Sequence, residues 1–506
     1  MRSDYSYPLR VAADRHPRRV AFAYGEDRWT YRDFDRATDR LAGAFEARGL
    51  GGRSVLLLLQ NEPRTVMVYL ALARAGAIAV PVNPKLLPHE IAFVADDCGA
   101  AAVVADAPFL ETAAAVVAEC PGVERVLTVN AAPGGADERI EDLGEEGDRV
   151  VTATVDPDSV ALIVYTSGTS GVPKGVARTH DANIWATVNS GLGQARHAED
   201  VEVFVLPLFG IAFIFQVMPM LLAGGTVVLD GAFDPARTWE LLEAHRATRV
   251  FLAPTMIDSM LAIAGQELRD VSSLHTLNTA YEFPERVRTA AARRFGDIIA
   301  YMYGLTEAQL CCSTAAEFVA DPTNAGLPMG MMRVRVVDEE GRPVDPGVVG
   351  EVILDGPSVM SGYHQRPEAT AEALQDGWLH TGDLGYLDEA GRVHIVGRKK
   401  AMIKSGGFSV DPVEVENAIL DFDGVREAAV VGVADEHWGE QVVAFAAPAA
   451  GLDGAEAEVL AFVKSKVASY KCPKRLLLLP ELPKNAMGKI ERARLRELAE
   501  SSGQPA

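Results

Sequence analysis

Residues 160–165 form an unbroken apolar run that ends in Thr166-Ser-Gly-Thr-Ser-Gly-Val-Pro-Lys-Gly-Val176. An apolar run of this length reads as a buried strand, and the hydroxyl and glycine residues after it force the chain to turn at the edge of a core. Gly168 and Gly171 open backbone shapes closed to other residues, so successive N–H groups can face inward around an anion. Thr166, Ser167, Thr169 and Ser170 add hydroxyl donors, and Lys174 adds a compact charge suited to phosphate. The spacing is not that of a Walker loop, because Pro173 and Lys174 stand where that motif needs Gly-Lys. A Ser/Gly-rich surface turn accounts for any four of these residues, but less well for the whole string.

The flanking sequence alternates between two periods. Helical spacing at 31–48 ends at Gly49, and 55–59 follows as a continuous apolar strand. A helix at 63–75 and a buried strand at 78–82 repeat the pattern. Such alternation predicts parallel sheets covered by helices. After an exposed, Gly- and acid-rich connection at 131–148, a second block predicts helices at 233–245 and 284–295 around a strand at 249–252. Between 326 and 396, short segments at 333–338, 350–354 and 392–396 predict a small β-barrel. The last hundred or so residues read as a separate α+β unit, with Asp411-Pro412 opening its first helix. Strands at 425–433 and 441–447 and a helix at 455–468 complete it, and no internal repeat is visible.

A chain of 506 residues exceeds one hydrophobic core, so two or more domains are expected. The formal charge of −22, without basic clusters among aromatics, disfavours a nucleic-acid partner. Five scattered cysteines without CxxC spacing read as reduced cytoplasmic thiols rather than a disulfide framework or zinc site. The first ten residues lack the apolar core of a secretory signal. The charge-free stretch 203–229 is interrupted by Pro207, Gly210, Pro219, Gly224 and Gly225, which favours buried strands and a helix over a membrane span.

Five motifs in order, spanning about two-thirds of the chain, resemble the adenylate-forming (AMP-binding) superfamily of acyl-CoA synthetases, aryl-CoA ligases, adenylation domains and luciferases. They are the 165–176 loop, Tyr303-Gly-Leu-Thr-Glu307, Trp378-Leu-His-Thr-Gly-Asp383, Gly397-Arg-Lys-Lys400 with Lys404-Ser-Gly-Gly407, and Pro483-Lys-Asn-Ala-Met-Gly-Lys-Ile490. The resemblance implies an α/β protein: two parallel-rich α/β subdomains plus the small barrel in residues 1–397, a hinge at 398–401, and a mobile α+β domain at 402–506. Thr166 to Lys174 would cradle the β and γ phosphates of ATP, Thr306 would bind the α-phosphate, and Glu307 would hold Mg²⁺. Asp383 would accept from both ribose hydroxyls with Arg398 as a second ribose or phosphate contact, Tyr303 would stack on adenine, and Gly304 and Ala280 would complete the adenine and ribose site. Lys489 would reach the α-phosphate and the substrate carboxylate when the small domain closes. Lys400 falls at the hinge, and Ser405, Gly406 and Gly407 border the CoA pantetheine channel. Blander readings stand beside these: a helix-start carboxylate for Glu307, a Gly-Asp turn for Asp383, a core aromatic for Tyr303, and solvated charges for Lys400 and Lys489.

Two departures concern the acyl pocket. Gly210 stands where many acyl-CoA synthetases carry a histidine, beside Phe209, and Asn278-Thr279 replace the usual two glycines before Ala280. These changes put a long unbranched acyl chain in doubt. No Asp falls within 207–213, so an α-amino acid, whose ammonium would be buried unpaired, is disfavoured. The leading expectation is an ATP-dependent acid–CoA ligase for a small-to-medium or aromatic acid. Two alternatives change the acceptor to a stand-alone carrier-protein thiol or an amine, with nitrous acid as a further possible acid for N–N bond formation. Another is a non-catalytic nucleotide-binding regulator. The chain ends shortly after Lys489, so no attached carrier domain is expected.

Overall fold

The computed structural model describes residues 4–131, 138–143, 154–166, 173–280, 285–399, 402–405, 408–435, 438–448, 454–484 and 490–502. Its first sheet has eight strands, in the order Gly362–Tyr363, Lys174–Thr179, Val160–Thr166, Ile78–Pro81, Ser54–Leu58, Ala100–Asp106, Arg125–Val129 and Glu138–Arg139. Ser54–Leu58 is parallel to both neighbours and buried throughout. Its apolar residues serve two faces: Val55 and Leu57 enter one core, Leu56 and Leu58 the other. That double burial is why the segment reads as continuous rather than alternating.

Helix starts follow side-chain chemistry. Thr30 caps Tyr31–Ala47 by accepting from Asp33 N, and Asp234 caps Pro235–Ala244 by accepting from Arg237 N. Asp411 caps Pro412–Leu420 by accepting from Val413 N, as its sequence predicts.

The second sheet runs in parallel through Val20–Tyr24, Thr226–Leu229, Val201–Phe204, Arg249–Phe251, Thr276–Thr279 and Ile299–Gly304. Instead of ending there, the ladder continues antiparallel through Gln309–Cys312, Asn324–Pro328, Val393–Arg398, Trp378–Leu387, Gly350–Asp355 and Arg333–Val337. The segments expected as a small barrel are thus hydrogen-bonded onto the second sheet. The physical cause is local: the chain reverses at 305–308, so Gln309 pairs back onto Gly304. Gly326, at φ +86°, then lies so close that a Cβ would stand 2.2 Å from the Cys312 carbonyl.

The stretch 203–229 resolves into two strands joined by Phe213–Val217 and Met218–Ala223. Among the described residues no helix is long and apolar enough to cross a membrane. The C-terminal sheet joins Ile403–Ser405, Phe408–Val410, Gly439–Pro448, Val425–Asp435 and Arg475–Leu478. Buried Glu416 ties its helix to this sheet by accepting from Val430 N and from Arg492.

A buried histidine links the N-terminus to the helix His180–Gly193. His180 Nδ1 accepts from Tyr5 N at 3.3 Å, and Nε2 has no partner among the described residues. Burial lowers its pKa to about 4, against the pull of Asp4 and Asp156. Between about pH 6.5 and 4 the unfolded chain therefore binds the proton that the folded chain refuses, so stability falls as pH drops. The loss approaches roughly 3 kcal/mol. A His180→Asn variant is expected to lose less of its urea midpoint than the parent between pH 7 and 4.5. Equal losses in both would remove His180 as a cause.

Candidate active site

Strand Lys174–Thr179 organises the site. It pairs antiparallel with Val160–Thr166, with Thr166 opposite Lys174, so the anion loop predicted from sequence is the connection of this hairpin. Ser167, Gly168, Thr169, Ser170 and Gly171 of that loop lie outside the described residues. On the strand's other edge lies Gly362–Tyr363, with Tyr363 opposite Val176. The Tyr363 hydroxyl donates to Glu307 Oε1 at 2.8 Å, and Lys174 Nζ stands 5.2 Å from the Tyr363 ring centroid. Burial and the Glu307 charge push the phenol's pKa up, so it stays a donor. Nothing in the sequence marks Tyr363; its partner is 56 residues away.

Thr306 and Glu307 sit in the turn between Ile299–Gly304 and Gln309–Cys312, closed by Leu305 N donating to Ala308 O at 2.7 Å. Gly304 keeps that approach close: a Cβ would lie 3.0 Å from Gln309 Cα, a tight contact. Both side chains are half-buried. Thr306 and Glu307 offer hard oxygen, and no group of three or more His, Cys, Asp or Glu able to hold a metal occurs among the described residues. This donor set fits Mg²⁺, which takes one or two carboxylates and completes its shell with phosphate oxygens and water.

Asp383 is 3 % exposed and held on both oxygens. Tyr303 Oη donates to Oδ2 at 2.5 Å, and Arg398 Nε, from the directly opposed strand position, donates to Oδ1 at 2.6 Å. Burial, then the Asp383 charge, raise the Tyr303 pKa well above the usual phenol range. Tyr303 is therefore tied by its hydroxyl to the expected ribose carboxylate, a bond the sequence did not indicate. A carboxylate has about four lone-pair sites, so ribose hydroxyls can still share it.

On the expected acyl side, Phe209 and Gly210 lie half-buried in a turn closed by Gly210 N donating to Pro207 O at 3.2 Å. A Cβ on Gly210 would meet only the Pro207 carbonyl, at an ordinary 3.5 Å. Gly210→Ala is therefore expected to change stability by less than about 0.5 kcal/mol, as a thermal melt would show; a larger loss would mean the position needs glycine. Asn278 and Thr279 are fully buried. The Asn278 amide donates to Gln194 Oε1 at 2.8 Å, within a polar network where Arg196 also binds Glu202, Gln194 and Gln216. Ala280, half-buried, packs with Phe251, Met302 and Met329. Asn278 joins this network across 84 residues of sequence.

Ser405 is buried on Ile403–Ser405, opposite Gly439. Lys400, Gly406, Gly407 and Lys489 lie outside the described residues.

Comparison with known proteins gives a consistent picture. The profile of the AMP-binding enzyme family matches residues 9–364, and that of the AMP-binding enzyme C-terminal domain matches 414–489. A feruloyl-CoA synthase from an Amycolatopsis species is 36 % identical, covering 97 % of this chain and 98 % of its own. An indoleacetate–CoA ligase from Aromatoleum aromaticum is 35 % identical over 96 % of this chain and 97 % of its own. Among solved structures, the amide bond synthetase McbA from Marinactinospora thermotolerans superposes with a TM-score of 0.88 at 28 % identity, covering 98 % of this chain and all of that one.

Proposed function

The chain belongs to the AMP-binding enzyme family, and from that membership we propose an ATP-dependent acid–CoA ligase acting on a small-to-medium or aromatic carboxylic acid. A carboxylate is a poor acyl donor because its leaving group would be oxide. Attack of the carboxylate oxygen on the α-phosphorus of ATP forms the acyl–AMP bond and releases pyrophosphate. The CoA thiol then attacks the acyl carbon, the carbon–oxygen bond to AMP breaks, and the thiol proton passes to solvent.

The observation that carries this reading is the grouping of Lys174, Tyr363 and Glu307 on one side and of Tyr303, Asp383 and Arg398 on the other, joined by the strand Ile299–Gly304 and its turn. In this reading Thr166, Lys174 and the loop between them hold the β and γ phosphates, and Thr306 holds the α-phosphate. Asp383 and Arg398 orient the ribose, with Tyr303, Gly304 and Ala280 walling the nucleoside. Tyr363 aims Glu307 at the site of Mg²⁺, which when bound offsets charge on the departing pyrophosphate. Lys489 brings a positive charge to the junction of the two anions, and hinge residue Lys400 lets the 402–506 domain turn. Ser405, Gly406 and Gly407 then line the pantetheine path, and Phe209, Gly210, Asn278 and Thr279 shape the acyl end. A cytoplasmic setting agrees with five free cysteines.

The test is pyrophosphate release with ATP and Mg²⁺ over a panel of carboxylic acids, with and without CoA, with products identified by mass. Acid-dependent release with an acyl-CoA product supports the ligase and names its acid. The likeness to an amide bond synthetase favours one second reading, transfer to an amine. Release indifferent to CoA, with an amide formed when amines are added, would decide for it.

A further inference from the structure

Arg178 is a fully buried cation that the reaction as described leaves unused. Its position in the strand, two alternations beyond Lys174, places the two side chains on one face. Among the described residues no carboxylate forms an ion pair with its guanidinium. Instead, Nη1 donates to Thr306 O at 3.1 Å and to Glu307 O at 3.2 Å. Nη2 donates to Ser358 O at 3.0 Å and Ala182 O at 3.5 Å, and Nε donates to Asn183 Oδ1 at 2.8 Å. Its face lies 5.6 Å from the Phe215 ring centroid. The Glu307 carbonyl also accepts from Met360 N at 2.8 Å, three residues before Tyr363.

We propose that Arg178 is a positioning residue: its guanidinium fork grips the Thr306 and Glu307 carbonyls from behind and sets the Glu307 carboxylate, so that one strand fixes both the phosphate cation Lys174 and the metal-binding carboxylate. The planar fork suits this task, because it can reach several carbonyls in a fixed geometry that an ammonium cannot reproduce. Burial lowers the guanidinium to about 10, which leaves it charged at neutral pH beside Glu307. Among the described residues the turn it holds has no helix, and the one other hydrogen bond to these two carbonyls comes from Met360 N. Loss of the grip frees the carboxylate by the ångström or so that positioning effects of about a hundredfold require.

This inference rests on the proposed reading of Glu307 as the Mg²⁺ ligand. The test measures ATP affinity by calorimetry, with Mg²⁺ and with EDTA, for the full chain and for Arg178→Met, Arg178→Lys and Arg74→Met. Arg74 is an equally buried arginine paired with Asp35 and Asp39, away from the site, and controls for general destabilisation. In Arg178→Met the affinity gained from Mg²⁺ is expected to fall at least about tenfold, with EDTA values within about twofold of the parent. Arg178→Lys should fall part of the way, and decides the matter if the Met variant does not accumulate. A Mg²⁺ gain equal to the parent's in the Arg178 variants, or an equal loss in Arg74→Met, overturns the proposal. Should the parent itself gain nothing from Mg²⁺, the reading of Glu307 falls first and takes this one with it.

Discussion

Asp383→Ala is expected to lower kcat/KM for ATP by about 10²–10⁴-fold while leaving KM for the acid within about threefold. In the proposed reading, two charge-assisted hydrogen bonds to ribose hydroxyls would contribute about 1.5–3 kcal/mol each, and every 1.36 kcal/mol is about tenfold. The carboxylate is buried and already aligned by Tyr303 and Arg398, so little of this is lost to side-chain ordering. Arg398→Ala should cost less, since half of the arginine side chain faces solvent. Steady-state kinetics with ATP varied at saturating acid provide the measurement. A change of under about fivefold in Asp383→Ala would leave the ribose role without support.

Lys489→Ala is expected to slow acid-dependent pyrophosphate release by about 10²–10³-fold, the loss typical of one donor aimed at developing oxyanion charge. The second step should survive, because the proposed role needs the lysine only where two anions meet. Supplying synthetic acyl-adenylate and CoA separates the steps: acyl-CoA should form at a rate within about threefold of the parent's. If both steps fall together, Lys489 acts on the closed state as a whole rather than on adenylate formation.

Local chemistry explains what could be read from the chain. The Asp411-Pro412 pair announces its helix because an Asx side chain and a proline each suit the first turn on their own account. The strand Ser54–Leu58 shows itself through the apolar run at 55–59, because burial on both faces leaves no polar alternation. The motif residues Glu307 and Asp383 stand out by pattern, yet what holds them does not. Arg178 carries no local signal between Ala177 and Thr179, because its carbonyl partners are 128 and 129 residues away. Tyr363 and Asn278 share that difficulty: each depends on a tertiary partner, which no local period encodes.

The hairpin that carries the anion loop has a consequence for how its length can vary. Both stems are locked: Val160–Thr166 lies against Ile78–Pro81, and Lys174–Thr179 against Gly362–Tyr363. Sliding either stem by one residue would turn every inward side chain outward. A deletion in the connection therefore cannot be absorbed by the strands, and must shorten the connection itself. Added residues, by contrast, leave both stems in register and carry little entropic cost. The loop should thus tolerate growth at its tip and resist any shortening, an asymmetry set by its anchors rather than by its own sequence.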